Sequence, residues 1–146
     1  MLTPESILKV RPTSLSRAGL SGAKIKTVKA IARAVERGEL DLLALKRISE
    51  TETAARLQEI WGLGPWSVEM FMMFSLGRTD VFSAGDLGLV RAMESIYGLP
   101  KGAPREKLAG IAETWSPYRT YACLLLWKTR DGAPVVARAP RKGGHR

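Results

Sequence analysis

The residue with the clearest chemical potential is Asp86, in the segment Ser83-Ala84-Gly85-Asp86-Leu87-Gly88. The pattern that follows it predicts that a helix begins at this aspartate. Residue type alone favours a capping role, in which the side chain accepts backbone N–H bonds from the first helical turn. Those N–H groups and the helix dipole also favour the charged form of the carboxyl group. The segment therefore predicts an aspartate that stays ionised.

A second candidate site is the stretch from Leu57 to Ser67, which reads LQEIWGLGPWS. It combines the end of an amphipathic helix, a Gly-x-Gly turn and a proline in the first turn of a new helix. Gly62 and Gly64 can adopt positive φ and have no Cβ, so another backbone can approach closely, while Leu63 is expected to pack between the two helices. The start of the second helix offers free N–H groups that suit a phosphate. We interpret Gly62, Leu63, Gly64 and Ser67 as a sequence-independent DNA-backbone clamp, with a plain helical hairpin as the alternative.

Composition excludes several kinds of site. The chain has 146 residues, 45% of them hydrophobic, which is one domain's length and enough to bury a core. A single cysteine, Cys123, excludes an intrachain disulfide and a cysteine cluster for zinc or iron–sulfur, and a single histidine, His145, excludes a Ser-His-Asp triad within the fold. With 23 Lys and Arg against 14 Asp and Glu, the net charge is +9, which favours nucleic acid as a partner over a role in solubility alone. The chain has no apolar run of membrane-spanning length and no signal-peptide pattern, so we expect no membrane partner. The expected location is cytoplasmic and nucleoid-associated, or nuclear in a eukaryote.

Helical periodicity and loop residues predict an all-α fold that can position these groups. The second candidate site then becomes a helix-hairpin-helix at about 50–76, and its second helix is apolar nearly all round, which predicts burial. We expect a short helix or turn at 40–47 and no strand. Helices are predicted from Thr3 until Pro12 ends the first, and then over 21–38, 49–60, 66–76, 86–97, 104–115 and 118–129.

The chain resembles the helix-hairpin-helix DNA glycosylases, and specifically their DNA-3-methyladenine glycosylase II branch, in the segment LQEIWGLGPWSVEMFMMFSLGRTDVFSAGDLGLVRAM. The order is the family's: the hairpin LxxIxGLGPW, a buried helix, an Asp-Val-Phe loop, and Gly-Asp-Leu-Gly opening a helix. Farther on, WSPYRTY at 115–121 and the later Trp127 resemble the family's Trp-x-Pro-aromatic-Arg-(Ser/Thr) helix start and its following Trp. The similarity runs from about Thr3 to about Arg130. It implies base-excision repair of double-stranded DNA containing alkylated bases, by cleavage of the N-glycosidic bond of alkylated purines such as 3-methyladenine.

The resemblance also assigns roles to particular residues. It places the family's catalytic aspartate on Asp86, where an ionised carboxylate would stabilise an oxocarbenium-like deoxyribose and orient or deprotonate the attacking water. It places base-pocket aromatics on Trp66 and Trp127, whose indole faces attract cationic alkylated purines. Trp66 stands where lyase-type relatives have a nucleophilic lysine, which implies a monofunctional enzyme. Family members often carry Tyr near Met70 and Leu87, so base preference stays open.

The resemblance implies no required cofactor. It does suggest a monovalent cation, Na⁺ or K⁺, held at the hairpin by the backbone carbonyls of Gln58, Ile60 and Leu63. Arg119 has three alternatives of equal weight: pairing near Asp86, binding DNA phosphate, or a structural role at a helix start. Two aromatic side chains, Trp115 and Tyr121, are expected to lie mainly in the core. For four cations we favour a solvated helix face over DNA binding: Lys24, Lys26, Lys29 and Arg33.

The resemblance does not include the several helices that family members carry before the Thr-Pro-Glu segment. We therefore expect a glycosylase fold that is incomplete at the N-terminus, with a helical glycosylase domain over 1–137 and a disordered basic tail over 138–146. Faces left uncovered would make an oligomer plausible if the chain is natively short. The alternative to an active glycosylase is a non-catalytic DNA-binding helix-hairpin-helix module or an inactive truncated glycosylase.

Overall fold

The computed structural model describes residues 2–130, and it confirms the all-α fold class, since no residue in that range is in a strand. A 3₁₀ turn at Ala44–Lys46 lies between the third and fourth helices. The predicted tail at 138–146 and the domain boundary at 137 lie outside the described residues. In chain order the helices are α1 (Pro4–Lys9), α2 (Pro12–Arg17), α3 (Gly22–Glu36), α4 (Glu50–Gln58), α5 (Pro65–Phe74), α6 (Leu87–Ile96), α7 (Arg105–Glu113) and α8 (Arg119–Arg130).

Several helices begin where the sequence offers a capping side chain. Thr3 forms a capping box with Ser6 at the start of α1. Ser21 caps α3 by accepting the N–H of Lys24, and Ser49 caps α4 in the same way. These hydroxyls satisfy N–H groups that have no partner inside the helix, so they fix the starts of these helices.

The predicted end of the first helix at Pro12 is incomplete, because Pro12 also opens α2. Proline holds the preceding Arg11 in an extended conformation (φ −65°, ψ 140°) and itself fits the first position of a helix. Both α1 and α2 pack against α3. Lys29 on α3 donates to the carbonyl oxygens of Leu8 (3.2 Å) and Val10 (2.9 Å) at the end of α1. A solvated role for Lys29 is therefore wrong, because its ammonium group satisfies carbonyls at a helix C-terminus.

The second hairpin helix, α5, packs against α4. The prediction that α5 is buried nearly all round is wrong. Val68, Met72 and Met73 are buried, but Trp66 and Phe74 are 51% and 62% exposed. Its apolar outer face is therefore available to the site described below. Buried side chains elsewhere complete the core, among them Leu45, Leu57, Leu89, Met93, Leu108, Cys123 and Leu126.

The loop between α5 and α6 is fixed by two side chains, one from the loop itself and one from α8. Arg78 donates to the carbonyl oxygens of Leu45 (3.1 Å) and Ile48. The buried Thr120 at the start of α8 accepts the N–H of Val81 at 3.1 Å and donates to the Arg78 carbonyl at 2.7 Å. These bonds fix the loop that leads into α6. None of the described helices is long and apolar enough to cross a bilayer.

Candidate active site

Asp86 is the N-cap of α6, as the sequence predicts. Its Oδ1 accepts the backbone N–H of Leu89 at 2.8 Å, three residues along the helix. The side chain is partly buried. Capping therefore fixes the orientation of this carboxylate, but it does not occupy all of its acceptor positions.

Two tryptophans converge on the same carboxylate. The indole Nε1–H of Trp127 on α8 donates to Asp86 Oδ1 at 2.9 Å. The indole Nε1–H of Trp66 on α5 donates to Asp86 Oδ2 at 2.9 Å. The three predicted residues are 20 and 41 positions apart in the chain, and the structure brings them together. Three helices thus meet at one carboxyl group.

These donors control the charge of Asp86. Burial alone would raise the pKa of this carboxyl group, but four hydrogen bonds outweigh it. The donors are the indoles of Trp127 and Trp66 and the backbone N–H groups of Leu89 and Gly88, and their net effect is a pKa below the ordinary value. Asp86 is therefore ionised at neutral pH, as expected for a group that stabilises a cation.

The indole of Trp127 is packed on several sides. The ring of Phe74 stacks against it, with centroids 5.9 Å apart. Gly88 lies at its edge, where a Cβ would come within 3.2 Å of the indole and 2.9 Å of Asp86 Oδ1. Leu87, which neighbours Asp86, is 69% exposed, and Met70 packs against the core. An apolar concavity beside Trp127 is lined by Tyr121, Leu124, Leu125, Trp127 and Lys128.

The hairpin between α4 and α5 has the predicted position, but its two glycines differ. Gly62 has a positive φ of 86°, and a Cβ there would collide with Oγ1 of Thr27 on α3. Gly64 is extended (φ −83°, ψ 170°), and a Cβ there would meet no atom within 4 Å. Of the two glycines that can adopt positive φ, only Gly62 does so, and the Cα of Gly64 borders open space. Leu63 donates its N–H to the Ile60 carbonyl at 3.1 Å, and Ser67 lies in the first turn of α5.

Arg119 has a structural role, one of the three alternatives that the sequence left open. Its guanidinium forms a two-pronged ion pair with Asp80, with Nε–Oδ1 at 2.8 Å and Nη2–Oδ2 at 3.0 Å. The hydroxyl of Ser116 donates to the same carboxylate at 2.8 Å. Hydrogen bonds from the Arg119 guanidinium, and to a lesser extent from the Ser116 hydroxyl, lower the pKa of Asp80 to about 2. This pair joins the start of α8 to the loop before α6.

The remaining predicted residues have varied roles. Lys26 lies over the ring of Trp61 on the hairpin, 3.7 Å from its centroid, and Lys24 and Arg33 are exposed. Trp115 packs against the core and meets Phe82 edge to face, as expected. The prediction of a core position for Tyr121 is wrong, because Tyr121 is 53% exposed on the face of α8 that lines the concavity.

Sequence reasoning missed four residues around the site. Gly88 is a poor helix former in the first turn of a helix, and that signal could have indicated a close approach. Glu69 and the fully buried Ser83 hydrogen-bond to each other beside Asp86, and Asp80 pairs with Arg119. No local pattern reveals these pairs, because their partners are 14 and 39 residues apart.

Taken together, the hairpin and the tryptophan-bound aspartate define a helix-hairpin-helix DNA-repair fold. Comparison with known proteins supports this class. The family model for the HhH-GPD superfamily base excision DNA repair protein matches residues 1–117. The chain belongs to this superfamily.

Individual relatives agree with this assignment. DNA-3-methyladenine glycosylase 1 of Schizosaccharomyces pombe is 36% identical over 128 residues, covering 87% of this chain and 56% of the relative. The crystal structure of a DNA-3-methyladenine glycosidase from Bacillus halodurans matches with a TM-score of 0.78 and 41% identity, over 88% of this chain and 59% of that one. The S. pombe 3-methyladenine DNA glycosylase in complex with abasic DNA matches with a TM-score of 0.83 and 35% identity, over 88% and 63%. The chain spans about half the length of the curated relatives it matches, 56% and 44% for two of them.

Proposed function

We propose that this protein is a monofunctional DNA glycosylase that hydrolyses the N-glycosidic bond of alkylated purines, such as 3-methyladenine, in double-stranded DNA. The observation that carries the proposal is the Asp86 carboxylate, which the indoles of Trp66 and Trp127 hold in its ionised form next to the hairpin. The names of the relatives support the substrate class. This activity places the protein with DNA, in the cytoplasm or in a nucleus.

The reaction needs a negative charge near the deoxyribose. As the bond from C1′ to the base breaks, its electron pair leaves with the base and positive charge develops on the sugar. Asp86 stabilises that charge, water adds its oxygen to C1′, and the water's proton passes to solvent. Because Asp86 already accepts hydrogen bonds from two indoles and from backbone N–H groups, and has a lowered pKa, it is a weak base. Its role is electrostatic stabilisation and orientation of the water rather than proton abstraction.

The two indoles serve the base as well as the aspartate. Alkylated purines such as 3-methyladenine carry positive charge, and cations are attracted to indole faces. Trp66 is half exposed, so its ring can receive a base flipped out of the duplex. The indole of Trp127 stacks on Phe74 and donates a hydrogen bond to Asp86, so it forms a fixed wall of the base pocket.

The hairpin binds the DNA backbone in this proposal. Gly64 borders open space, and Trp66 and Ser67 lie in the first turn of α5, where N–H groups have no partner within a helix. A Na⁺ or K⁺ ion would be held by the carbonyls of Gln58, Ile60 and Leu63. Ile60 O already accepts one hydrogen bond, and a carbonyl has a second lone pair for a cation. Such an ion would link the hairpin to a phosphate, and the reaction itself requires no cofactor.

The test is base release under single-turnover conditions from a duplex with one 3-methyladenine, comparing the wild type with Asp86→Asn. Asparagine also caps helices, so the fold should survive while the charge is lost. We expect excision to fall by about 100-fold or more, with affinity for abasic DNA within a few-fold of wild type. Asp41→Asn is the matched control, because Asp41 also accepts backbone N–H bonds, from Leu43 and Ala44, but away from the site.

The outcomes separate the alternatives. A rate for Asp86→Asn close to that of the wild type, or a loss of folding and binding instead, would leave Asp86 as a cap only. DNA binding by the wild type without base release would favour the non-catalytic module. The product should be an abasic site. Borohydride should trap no covalent adduct, because Trp66 stands at the position where lyase-type relatives have a nucleophilic lysine.

A further inference from the structure

A second carboxyl group, Glu69, lies on α5 one turn after Trp66. Its side chain is partly buried, and the hydroxyl of Ser83 donates to its Oε2 at 2.5 Å. Ser83 itself is completely buried, and its exposed fraction is 0%. A buried serine that donates to a carboxylate is held in one position.

Ser83 in turn holds the turn that ends at Asp86. The carbonyl oxygen of Ser83 accepts the backbone N–H of Asp86 at 3.2 Å. Glu69 is thus linked to Asp86 through Ser83 alone. The Ser83 hydroxyl donates to Glu69, and the Ser83 carbonyl accepts the backbone N–H of Asp86. As a result α5 contacts the aspartate twice: directly through the indole of Trp66, and indirectly from Glu69.

We propose that Glu69 is a positioning residue, which acts through Ser83 to place the Asp86 carboxylate against the indoles of Trp66 and Trp127. The effect on the indole hydrogen bonds follows from these contacts alone. The effect on base excision rests on the proposed function, because it requires Asp86 to stabilise the reacting sugar.

The charge of Glu69 makes this link sensitive to pH. Burial raises the pKa of Glu69. The hydrogen bond from Ser83 and the positive charge of Arg105 oppose that shift, and the negative charge of Asp86 adds to it. As pH falls, Glu69 therefore takes up a proton before an ordinary glutamate does, and the bond from Ser83 loses its charge assistance. Charged residues that line the same recess as Glu69 are Glu50, Asp80 and Arg119.

The experiment reads the positions of the two indoles by ¹⁵N NMR of the Trp66 and Trp127 Nε1–H groups, together with single-turnover excision and DNA affinity. Glu69→Ala removes both the charge and the acceptor for Ser83. Glu69→Gln keeps an acceptor and removes the titration. Glu94→Ala is the matched control, because Glu94 accepts the N–H groups of Gly102 and Ala103 and fastens a different loop.

We expect Glu69→Ala to shift both indole signals and to slow excision by about tenfold or more with unchanged DNA affinity, since small displacements of a reacting group are costly. Ser83→Ala should do the same, and combining the two changes should add little, because they break one chain of contacts. Glu69→Gln should keep wild-type indole signals at neutral pH but lose their shift in mildly acid solution. Glu94→Ala should leave both signals in place.

Unmoved indole signals in Glu69→Ala would overturn the proposal. If that variant does not fold, indole signals in Glu69→Gln that titrate like those of the wild type would overturn it equally. The NMR readout needs no base release, so an inactive wild type would contradict the proposed function and leave the positioning role standing. Shifted signals with an unchanged rate in an active enzyme would show that Glu69 does not position the aspartate for catalysis.

Discussion

Gly88 lies against the indole edge of Trp127. A Cβ on Gly88 would approach Cδ1 and Nε1 of that indole to 3.2 Å, and Asp86 Oδ1 to 2.9 Å. The approach to Oδ1 leaves no room for a methyl group without movement, and the approach to the indole is tight. Nε1 of Trp127 and Oδ1 of Asp86 are the donor and acceptor of one hydrogen bond. The absence of a side chain at Gly88 therefore allows α6 and α8 to approach closely enough for Trp127 to bond to Asp86.

Gly88→Ala should reduce base excision by about tenfold to 100-fold, because the methyl group pushes apart Asp86 and Trp127. Gly110→Ala is the control: Gly110 lies within α7, and a Cβ there would meet no atom within 4 Å. It should leave the rate unchanged and raise the free energy of unfolding by about 0.5–1 kcal/mol. Single-turnover rates and urea unfolding measure both. Full activity of Gly88→Ala would show that the close approach does not matter.

The hairpin gives a second prediction. Gly64→Val should fold normally, because Gly64 is extended and borders open space, but its side chain should keep a phosphate away from the start of α5. We expect affinity to fall by about tenfold for every DNA sequence alike, since phosphate contacts carry no sequence information. Fluorescence anisotropy over a series of salt concentrations measures this, and the wild-type affinity should fall steeply with salt.

The control for this prediction is Gly22→Val, at the first position of α3, where a Cβ would also meet no atom within 4 Å. It should bind DNA as the wild type does. Equal binding by Gly64→Val, or affinity independent of salt, would contradict a backbone clamp. Gly62→Val is unsuitable as a test, because the positive φ and the contact with Thr27 predict a loss of stability.

Much of the fold could be predicted from the sequence, because helix starts depend on local chemistry. Ser21, Ser49 and Asp86 all stand directly before the helices that they cap. The second helix at Pro12–Arg17 was missed because it has six residues, no buried side chain and no side-chain cap. The exposure of Phe74 was missed because an apolar composition does not reveal which neighbour covers each face of a helix.

The site, like the fold, has parts that could be predicted from the sequence and parts that could not. The family resemblance pointed to Asp86, Trp66 and Trp127, and the structure brings them together. It could not reveal that both indoles donate to one carboxylate, because that depends on the packing of α5, α6 and α8. Arg119 shows the limit of residue type: an arginine at a helix start suits a phosphate and a carboxylate equally, and only the fold places Asp80 beside it.

The indole donors lead to a prediction on pH. Trp127→Phe keeps an aromatic ring against Phe74 but removes an N–H donor to Asp86, so the pKa of Asp86 should rise. In the proposed mechanism the ionised form is the active one, so activity should be lost at a higher pH than in the wild type as the solution becomes acid. We expect the acid limb of the single-turnover rate to move to higher pH.

The matched control is Trp61→Phe, since Trp61 lies on the hairpin under Lys26 and does not bond to Asp86. Its acid limb should coincide with that of the wild type. Trp66→Phe, which removes the other indole donor, should move the limb in the same direction as Trp127→Phe. An unmoved acid limb in both variants would mean that the indoles do not set the charge of the aspartate.

The ion pair of Asp80 with Arg119 predicts how stability depends on pH. The pKa of Asp80 is lowered from 3.8 to about 2, chiefly by the Arg119 guanidinium. A lowered pKa means that the stabilisation is complete above about pH 4 and is lost as pH falls towards 2. Asp80→Asn should therefore lower the free energy of unfolding at pH 7 by about 1–2 kcal/mol, allowing for solvent around the partly exposed pair. Near pH 2 its stability should approach that of the wild type.

Urea unfolding at the two pH values measures the difference, with Glu39→Gln as control, because the Arg37–Glu39 pair is 3.7 Å apart and largely exposed. A loss in Asp80→Asn that is the same at both pH values would mean that the packing of the loop, and not the charge of Asp80, joins α8 to the loop before α6.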